Sequence, residues 1–510
     1  MEQKIYKPVV LAILDGFGIP KDESRSGITR KNTKFLQELA KKYPTTVLEA
    51  SGEYVGLPSY QTGTSDIGHL TIGTGRVNFQ PLVRIEKAIK DGSFYTNPAI
   101  IKACDNAKKN GHALHLFGIV SNGGVHAQIS HLFELLKVAK QQNVKNVFLH
   151  IFTDGRDTPQ KSSPQFIAQL NEKIKEIGVG KIATVCGRYY ALDRDRNYDR
   201  NKLAYDAIVY GKGREAKNAL EAVENAYKAG ETDEFIIPTV VTRCGKPIAT
   251  VRDGDSVIFA NYRADRERQL TYIFVENNDL DFVKKMNLCF VTMVNYDNTF
   301  KNPIVAFDEI KIENTLSEVV SQLGIRQAKI AETEKYAYVT FAFNAGKQDT
   351  YKGEERFLVP SKKVKTFDLA PEMSAREITN IAKTIINSKE YGLVVLNLAN
   401  GDMVGHSGNK IAARKAVEVV DDCVHQLVDA TLKNDGSIFI CADHGNCDIM
   451  EYEDGTPHTS HTMAQVPAFL VSNCKYKLKK HGSLPDVAPT ILQLLNIKQP
   501  KEMTGKSLID

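Results

Sequence analysis

Residues 9–18 read VVLAILDGFG: six apolar residues, then an aspartate and a glycine. The run is short, uninterrupted by polar residues and rich in branched side chains, which suits a strand buried on both faces. Four more runs share its character: VFLHIF (147–152), SVIFAN (256–261), LVVLNLA (393–399) and SIFICA (437–442). Segments with helical spacing of apolar residues lie among them, such as LFELLKVAKQ (132–141) and RKAVEVVDDCVHQLVDATLK (414–433). The alternation predicts an α/β protein built on parallel strands. The stretch AGKQDTYKGEERFLVPSKKV (345–364) reads as an exposed hairpin or loop.

In such sheets ligands gather beyond the carboxyl ends of the strands. After VVLAIL comes Asp15. After LVVLNLA come Asp402 and His406, in NGDMVGH. After SIFICA come Asp443 and His444, in ADHGN. One aspartate after a strand is an ordinary turn residue. Three at the same offset, two of them with histidines, point to a site. Asp402 and His406 are four apart, so one helical turn carries both to the same side. Asp443 and His444 are adjacent and need a loop, which Gly445 permits. PHTSHT (457–462) adds His458 and His461. Carboxylate and imidazole ligands without thiolates suit Mn²⁺, Zn²⁺ or Mg²⁺. The set is large enough for two ions, and paired ions suit phosphoryl transfer.

The stretch GTSDIGH (63–69) then takes on meaning. Ser65 is a poor nucleophile at neutral pH unless a metal or a base activates it. No GxSxG elbow is present, and no histidine is close enough in sequence to argue for a triad. The residues that follow can start a helix whose N–H groups face an anion.

Bulk properties narrow the classes. The chain has 510 residues, 42% of them hydrophobic and 25% charged, with net charge +5. That length allows two domains, and the charge is too mild to argue for nucleic acid or an anionic membrane surface. The first apolar run is too short for a signal peptide or a membrane span. Eight scattered cysteines with no CxxC pair suggest reduced thiols in the cytoplasm.

The ligand blocks fall before about residue 70 and after about residue 400, so the intervening chain reads as an inserted domain. It carries GGVH (123–126), TDGRD (153–157), CGRYYALDRDRNYDR (186–200) and NYRADR (261–266). Arg156, Arg188, Arg194, Arg263 and Arg266 offer planar forks for carboxylate or phosphate. Arg156 and Arg263 follow strong strands, as the acidic residues do. Lys335, in ETEKYAYVTFAFN, reads as the opening of another strand.

These motifs, in this order from LDGFG to the closing PTILQLL and MTGKSLI, resemble the cofactor-independent (2,3-bisphosphoglycerate-independent) phosphoglycerate mutases of the alkaline phosphatase superfamily, over essentially the whole chain. The resemblance implies an alkaline phosphatase-like mixed sheet flanked by helices, with an inserted α/β phosphotransferase domain. The expected boundaries are 1–77 with 312–510 for the metal-binding domain and 78–311 for the substrate-binding insert. It implies two divalent ions, Mn²⁺ first, with Mg²⁺, Co²⁺ or Zn²⁺ as alternatives. Asp15, Ser65, Asp443 and His444 match the ligands of one ion, and Asp402, His406 and His461 those of the other. His458 matches no ligand position. Ser65 matches the serine that carries the phosphoryl group. His126, Arg156, Asp157, Arg188, Arg194, Arg263, Arg266 and Lys335 match substrate-binding positions, Asp157 being the one that exchanges protons with the glycerate hydroxyls. The expected partner is a small phosphorylated acid, with no nucleic acid or membrane, on a monomer.

The sequence departs from the family pattern in places. The usual G-N-S-E-V-G-H is GTSDIGH here, so Thr64 and Asp66 replace Asn and Glu. The usual S-D-G-G-V-H has Asn122 at its second position. Gly401 stands where proline is common, and Tyr198 where tryptophan is common. The rival readings are a metal-dependent phosphatase or another mutase of the superfamily, and a non-enzymatic phosphoglycerate-binding or regulatory protein.

Overall fold

Branched and aromatic side chains make the apolar runs into strands, and each run quoted above lies in one. A computed structural model describes residues 6–109, 111–276 and 280–510. The chain forms two compact units, one running to Gln80 and resuming over Lys311–Asp510, the other Pro81–Ile310.

The first unit holds an eight-stranded mixed sheet. From one edge its order is Glu354–Val359, Gln327–Glu332, Leu393–Leu398, Val9–Leu14, Ser437–Cys441, Val466–Ser472, Thr45–Glu49 and His481–Ser483. Val9–Leu14 runs parallel to both neighbours, with Leu14 beside Leu398 and Ile13 beside Cys441. The carboxyl ends of three adjacent strands therefore lie side by side, which brings residues 15, 402 and 443 together from far apart in the chain. Val466–Ser472 is antiparallel to both of its neighbours, so the sheet is mixed. The long helix Lys410–Lys433 covers it with Ala413, Val417, Val420, Val424 and Leu427 buried.

Among the described residues the second unit holds a nine-stranded, mostly parallel sheet. Its central members are Cys289–Thr292, Ser256–Phe259, Leu114–Ile119, Val147–Thr153 and Lys181–Gly187 in that order. Phe117 packs edge-on to Phe152, Phe259, Phe274 and Phe290 at the centre of its core.

Two expectations fail. Residues 345–364 are not merely an exposed hairpin or loop, because Glu354–Val359 pairs in parallel with Gln327–Glu332 as an edge strand. Its charges hid it: Glu354 is buried and accepts from Arg356 Nε at 2.6 Å. Lys335 opens no strand but sits in a short helix, Thr333–Ala337, immediately after Gln327–Glu332. Among the described residues no helix is long and apolar enough to cross a membrane.

Ser65 is the first residue of the helix Ser65–Thr74. That helix lies unusually close to its neighbours. A Cβ at Gly73 would stand 2.1 Å from the carbonyl oxygen of Phe343, a backbone atom that cannot step aside. Gly73→Ala is therefore expected to destabilise the protein by about 1–3 kcal/mol through overpacking. Urea unfolding should show a lower midpoint with an unchanged m-value.

Candidate active site

The strand-end rule brings the acidic residues of the first unit into one buried cluster. Asp15, Asp402, Asp443 and His444 are all inaccessible or nearly so, and Ser65 is buried among them. Gly16, at φ +71°, turns the chain directly after Asp15, and a Cβ there would overlap the backbone of Asp402 at 2.7 Å. The two aspartate loops can approach only because that position has no side chain.

Ser65 Oγ donates to Asp15 Oδ1 at 3.2 Å and lies 3.0 Å from His444 Nε2. Lys335 Nζ donates to Asp15 Oδ1 at 2.8 Å, to Asp402 Oδ2 at 2.5 Å and to Ser65 Oγ at 2.7 Å. Lys335 thus joins the acidic cluster itself. Asp402 Oδ1 lies 3.2 Å from His406 Nε2 and 3.1 Å from His461 Nε2, and those two nitrogens are 3.1 Å apart. Two sets of potential ligand atoms, Asp15/Asp443/His444 and Asp402/His444/His461, lie within 4.8 Å of one another. His406 joins the second set through Asp402 and His461. His458 packs against Tyr452 and belongs to neither.

The imidazoles are anchored from behind. Nδ1 of His406 faces Thr459 O at 2.8 Å, Nδ1 of His461 faces Gly63 O at 2.8 Å, and Nδ1 of His444 faces Gly445 O at 3.2 Å. A carbonyl takes the Nδ1 proton in each case, which leaves Nε2 turned into the cluster. This arrangement fits a divalent ion, as does the buried Asp443 Oδ2, which accepts no hydrogen bond among the described residues, although imidazoles lie near it.

Two residues that sequence reading passed over stand behind these. His69, fully buried, places Nδ1 2.8 Å from Ser65 O and 3.1 Å from Asp443 Oδ2. Asn397 donates to Asp15 Oδ2 at 2.7 Å and lies 3.0 Å from His69 Nε2. The signals were present: a histidine closing GTSDIGH and a lone amide inside LVVLNLA. The departures beside Ser65 pair with each other, Thr64 Oγ1 donating to Asp66.

Among the protein's own groups, Lys335 and His444 oppose the carboxylates' charge. Burial opposes ionisation of Asp15, but Lys335 and His444 outweigh it and hold the carboxyl below its usual range. Burial likewise opposes charge on His444, yet Asp443, Asp15 and Asp402 lift it to about 10. A hydrogen bond to Asp402 raises His406.

The second unit gathers cations. Arg188, buried, donates from Nη1 to Asp157 Oδ2 at 2.5 Å and to Asp154 Oδ1 at 2.7 Å. Arg194 and Arg263 flank Asp265, at 2.8 Å to its two oxygens. Arg156 reaches Glu234 at 3.3 Å and is half exposed. Arg266 donates to Leu192 O at 3.1 Å. Burial, and then repulsion from Arg188, Arg194 and Arg156, pushes Arg266 below the usual arginine value, so these four cations share one neighbourhood. His126 Nδ1 faces Glu267 Oε1 at 3.1 Å, and Asn261 donates to the same oxygen at 2.6 Å. Six of the residues expected to bind substrate therefore converge with Asp157 at the carboxyl ends of this unit's strands, while Lys335 belongs to the first unit.

A pH prediction follows for the metal-free protein. The folded value of His444 lies above its unfolded value of about 6.5. Its pairing therefore stabilises fully below about 6.5 and is lost as pH rises through about 10. Urea midpoints in chelator should fall from pH 7 to 10, and excess divalent ion should flatten that fall.

Comparison with known proteins gives consistent results. The family described as BPG-independent PGAM N-terminus matches residues 85–298, and type I phosphodiesterase / nucleotide pyrophosphatase matches residues 258–498. A 2,3-bisphosphoglycerate-independent phosphoglycerate mutase of Clostridium kluyveri is 50% identical over 505 residues, covering 99% of both chains. That of Clostridium acetobutylicum is also 50% identical, over 507 residues and 99% of both chains. Among solved structures, Leishmania mexicana phosphoglycerate mutase at low cobalt concentration matches with TM-score 0.58 and 28% identity, covering 100% of this chain and 98% of that one. With half of its residues shared along its entire length, this chain belongs to the 2,3-bisphosphoglycerate-independent phosphoglycerate mutases, isomerases that interconvert 3-phosphoglycerate and 2-phosphoglycerate.

Proposed function

We propose that the first unit is the metal-binding, phosphoryl-accepting domain and that the second is the domain that holds the glycerate. Asp15, Ser65, Asp443 and His444 hold one divalent ion; Asp402, His406 and His461 hold the other. The observation that carries this reading is the set of three imidazoles, each anchored through Nδ1 and presenting Nε2 to carboxylate oxygens. Mn²⁺ is the favoured ion, since oxygen and imidazole donors without thiolate suit it. The ions supply Lewis acidity that favours the ionised Ser65 hydroxyl and neutralises phosphoryl charge.

Ser65 Oγ attacks the phosphorus of 3-phosphoglycerate. The Ser65 O–P bond forms as the bond from phosphorus to the C3 oxygen breaks. Lys335, 2.7 Å from Ser65 Oγ, stabilises negative charge on that oxygen. Asp157 gives a proton to the departing C3 oxygen. The arginines and His126 keep the glycerate bound while it reorients. Asp157 then takes a proton from the C2 hydroxyl, whose oxygen attacks the phosphoserine and releases Ser65. No 2,3-bisphosphoglycerate is needed, because the phosphoryl group comes from the substrate. All eight cysteines are free, which suits the cytoplasm, and one chain supplies every proposed ligand, which suits a monomer.

Ser65→Ala should abolish interconversion while the thermal midpoint stays near wild type. Near-normal turnover would refute the phosphoserine route. Chelation should inactivate the wild type, and Mn²⁺ should restore it.

Arg263→Ala tests the retention of glycerate. It is expected to lower mutase turnover by about 10²-fold, the size of effect that lost orientation produces, and to raise the fraction of events ending in inorganic phosphate. The ratio of 2-phosphoglycerate to phosphate is the measurement. A wild type releasing mostly phosphate would favour a phosphatase instead.

A further inference from the structure

We propose that Asp154 is a positioning residue that presents Arg188 and Asp157 to the glycerate. The proposal rests on the substrate roles given above to those two residues. Asp154 directly follows the strand Val147–Thr153 and is buried. Its carboxylate takes four donors. Oδ1 accepts from Arg188 Nη1 at 2.7 Å, from the N–H of Asp157 at 3.0 Å and from the N–H of Arg156 at 3.3 Å. Oδ2 accepts from Ser121 Oγ at 2.7 Å. Ser121 lies just beyond the strand Leu114–Ile119, and Arg188 just beyond Lys181–Gly187. One carboxylate therefore ties the ends of three adjacent parallel strands to the turn that carries Arg156 and Asp157. Burial opposes its ionisation, but the bonds from Ser121, Asp157 and Arg188 keep it below the usual carboxylate value.

These bonds decide which edge of Arg188 is left over. Nη1 makes both carboxylate contacts, to Asp154 and to Asp157. Nε is buried and has no partner among the described residues, and Nη2 makes no hydrogen bond among them. Nε and Nη2 form the side edge of the guanidinium, which grips two oxygens of one carboxylate or phosphate. A buried N–H without an acceptor is costly, and a ligand oxygen removes that cost. Asp154 holds Nη1 and so keeps the Nε/Nη2 edge for the substrate. Asp157 shares the same nitrogen, so its carboxylate is set by the same contact.

The test is a double-mutant cycle of Asp154→Asn and Arg188→Lys on the Mn²⁺-loaded full chain. It reads kcat, KM, metal content and thermal midpoint. Asp154→Asn alone is expected to lower kcat/KM by about 10²-fold with metal content unchanged. In the Arg188→Lys background the same change should cost less than about threefold, because the edge it positions is gone. Equal losses in both backgrounds would make Asp154 a general support of the fold and overturn the proposal, as would an undiminished Asp154→Asn single variant. If Asp154→Asn does not fold, Ser121→Ala takes its place in the cycle, since it removes one donor and leaves the carboxylate. A loss confined to the background with Arg188 intact supports the proposal; no loss, or equal loss in both, overturns it. Wild-type kcat/KM in Arg188→Lys alone would instead remove the substrate role of Arg188, a distinct failure of the underlying reading.

Discussion

Three carboxylates meet in the interior of the first unit, and the rest of the site answers to their repulsion. Like charges cost most where water is excluded, so such a cluster persists only with opposite charge inside it. Lys335 contacts two of the three, Asp15 and Asp402, and His444 lies 3.4 Å from Asp15 and 3.7 Å from Asp443. Those two cations balance the metal-free cluster only in part. Two divalent ions would over-balance it, and that surplus positive charge is what an incoming phosphoryl group needs. On the proposed reading the same carboxylates act twice, as metal ligands and as the reason Lys335 is held against Ser65.

The second unit has the opposite character. Its arginines crowd closely enough to depress one of their number, Arg266, and the acids among them are largely committed as supports. Asp265 is shared by Arg194 and Arg263, and Glu267 is turned to His126 and Asn261. A concentration of cations with their supporting acids behind them suits an anion carrying both a carboxylate and a phosphate. A hydrolase has no need to keep its alcohol product. A mutase does, and on the proposed reading these arginines supply the means.

Much of this was legible in the sequence because parallel strands convert sequence offset into spatial position. Asp15, Asp402 and Asp443 each follow an apolar run by one to four residues, and the adjacency of those runs in the sheet does the rest. Arg156 and Arg263 were found by the same rule. What escaped depended on contacts that no local pattern encodes. Asn397 looks like an imperfection in a strand until Asp15 and His69 are seen on either side of it. The strand Glu354–Val359 was missed because an edge strand need bury only some of its residues, and the one it buries at its start is a glutamate paired with Arg356. Lys335 was misplaced because YAYVTFAFN is rich in residues that favour strands, yet the segment turns into helix where Lys335 has to reach the cluster.

The departures beside the nucleophile obey the same electrostatics. Ser65 begins its helix, so position 66 lies in the first turn, where the unpaired N–H groups carry partial positive charge. The family's glutamate and this chain's Asp66 both place a carboxylate there. The shorter aspartate reaches back only to Thr64, and the two are joined by a hydrogen bond. Thr64 makes no capping bond to the helix backbone, so its hydroxyl is free for that pairing. The substitution of Asn-Ser-Glu by Thr-Ser-Asp is thus a matched pair of changes on the exposed side of the turn. On the inward side Ser65 lies between Asp15, His444 and Lys335.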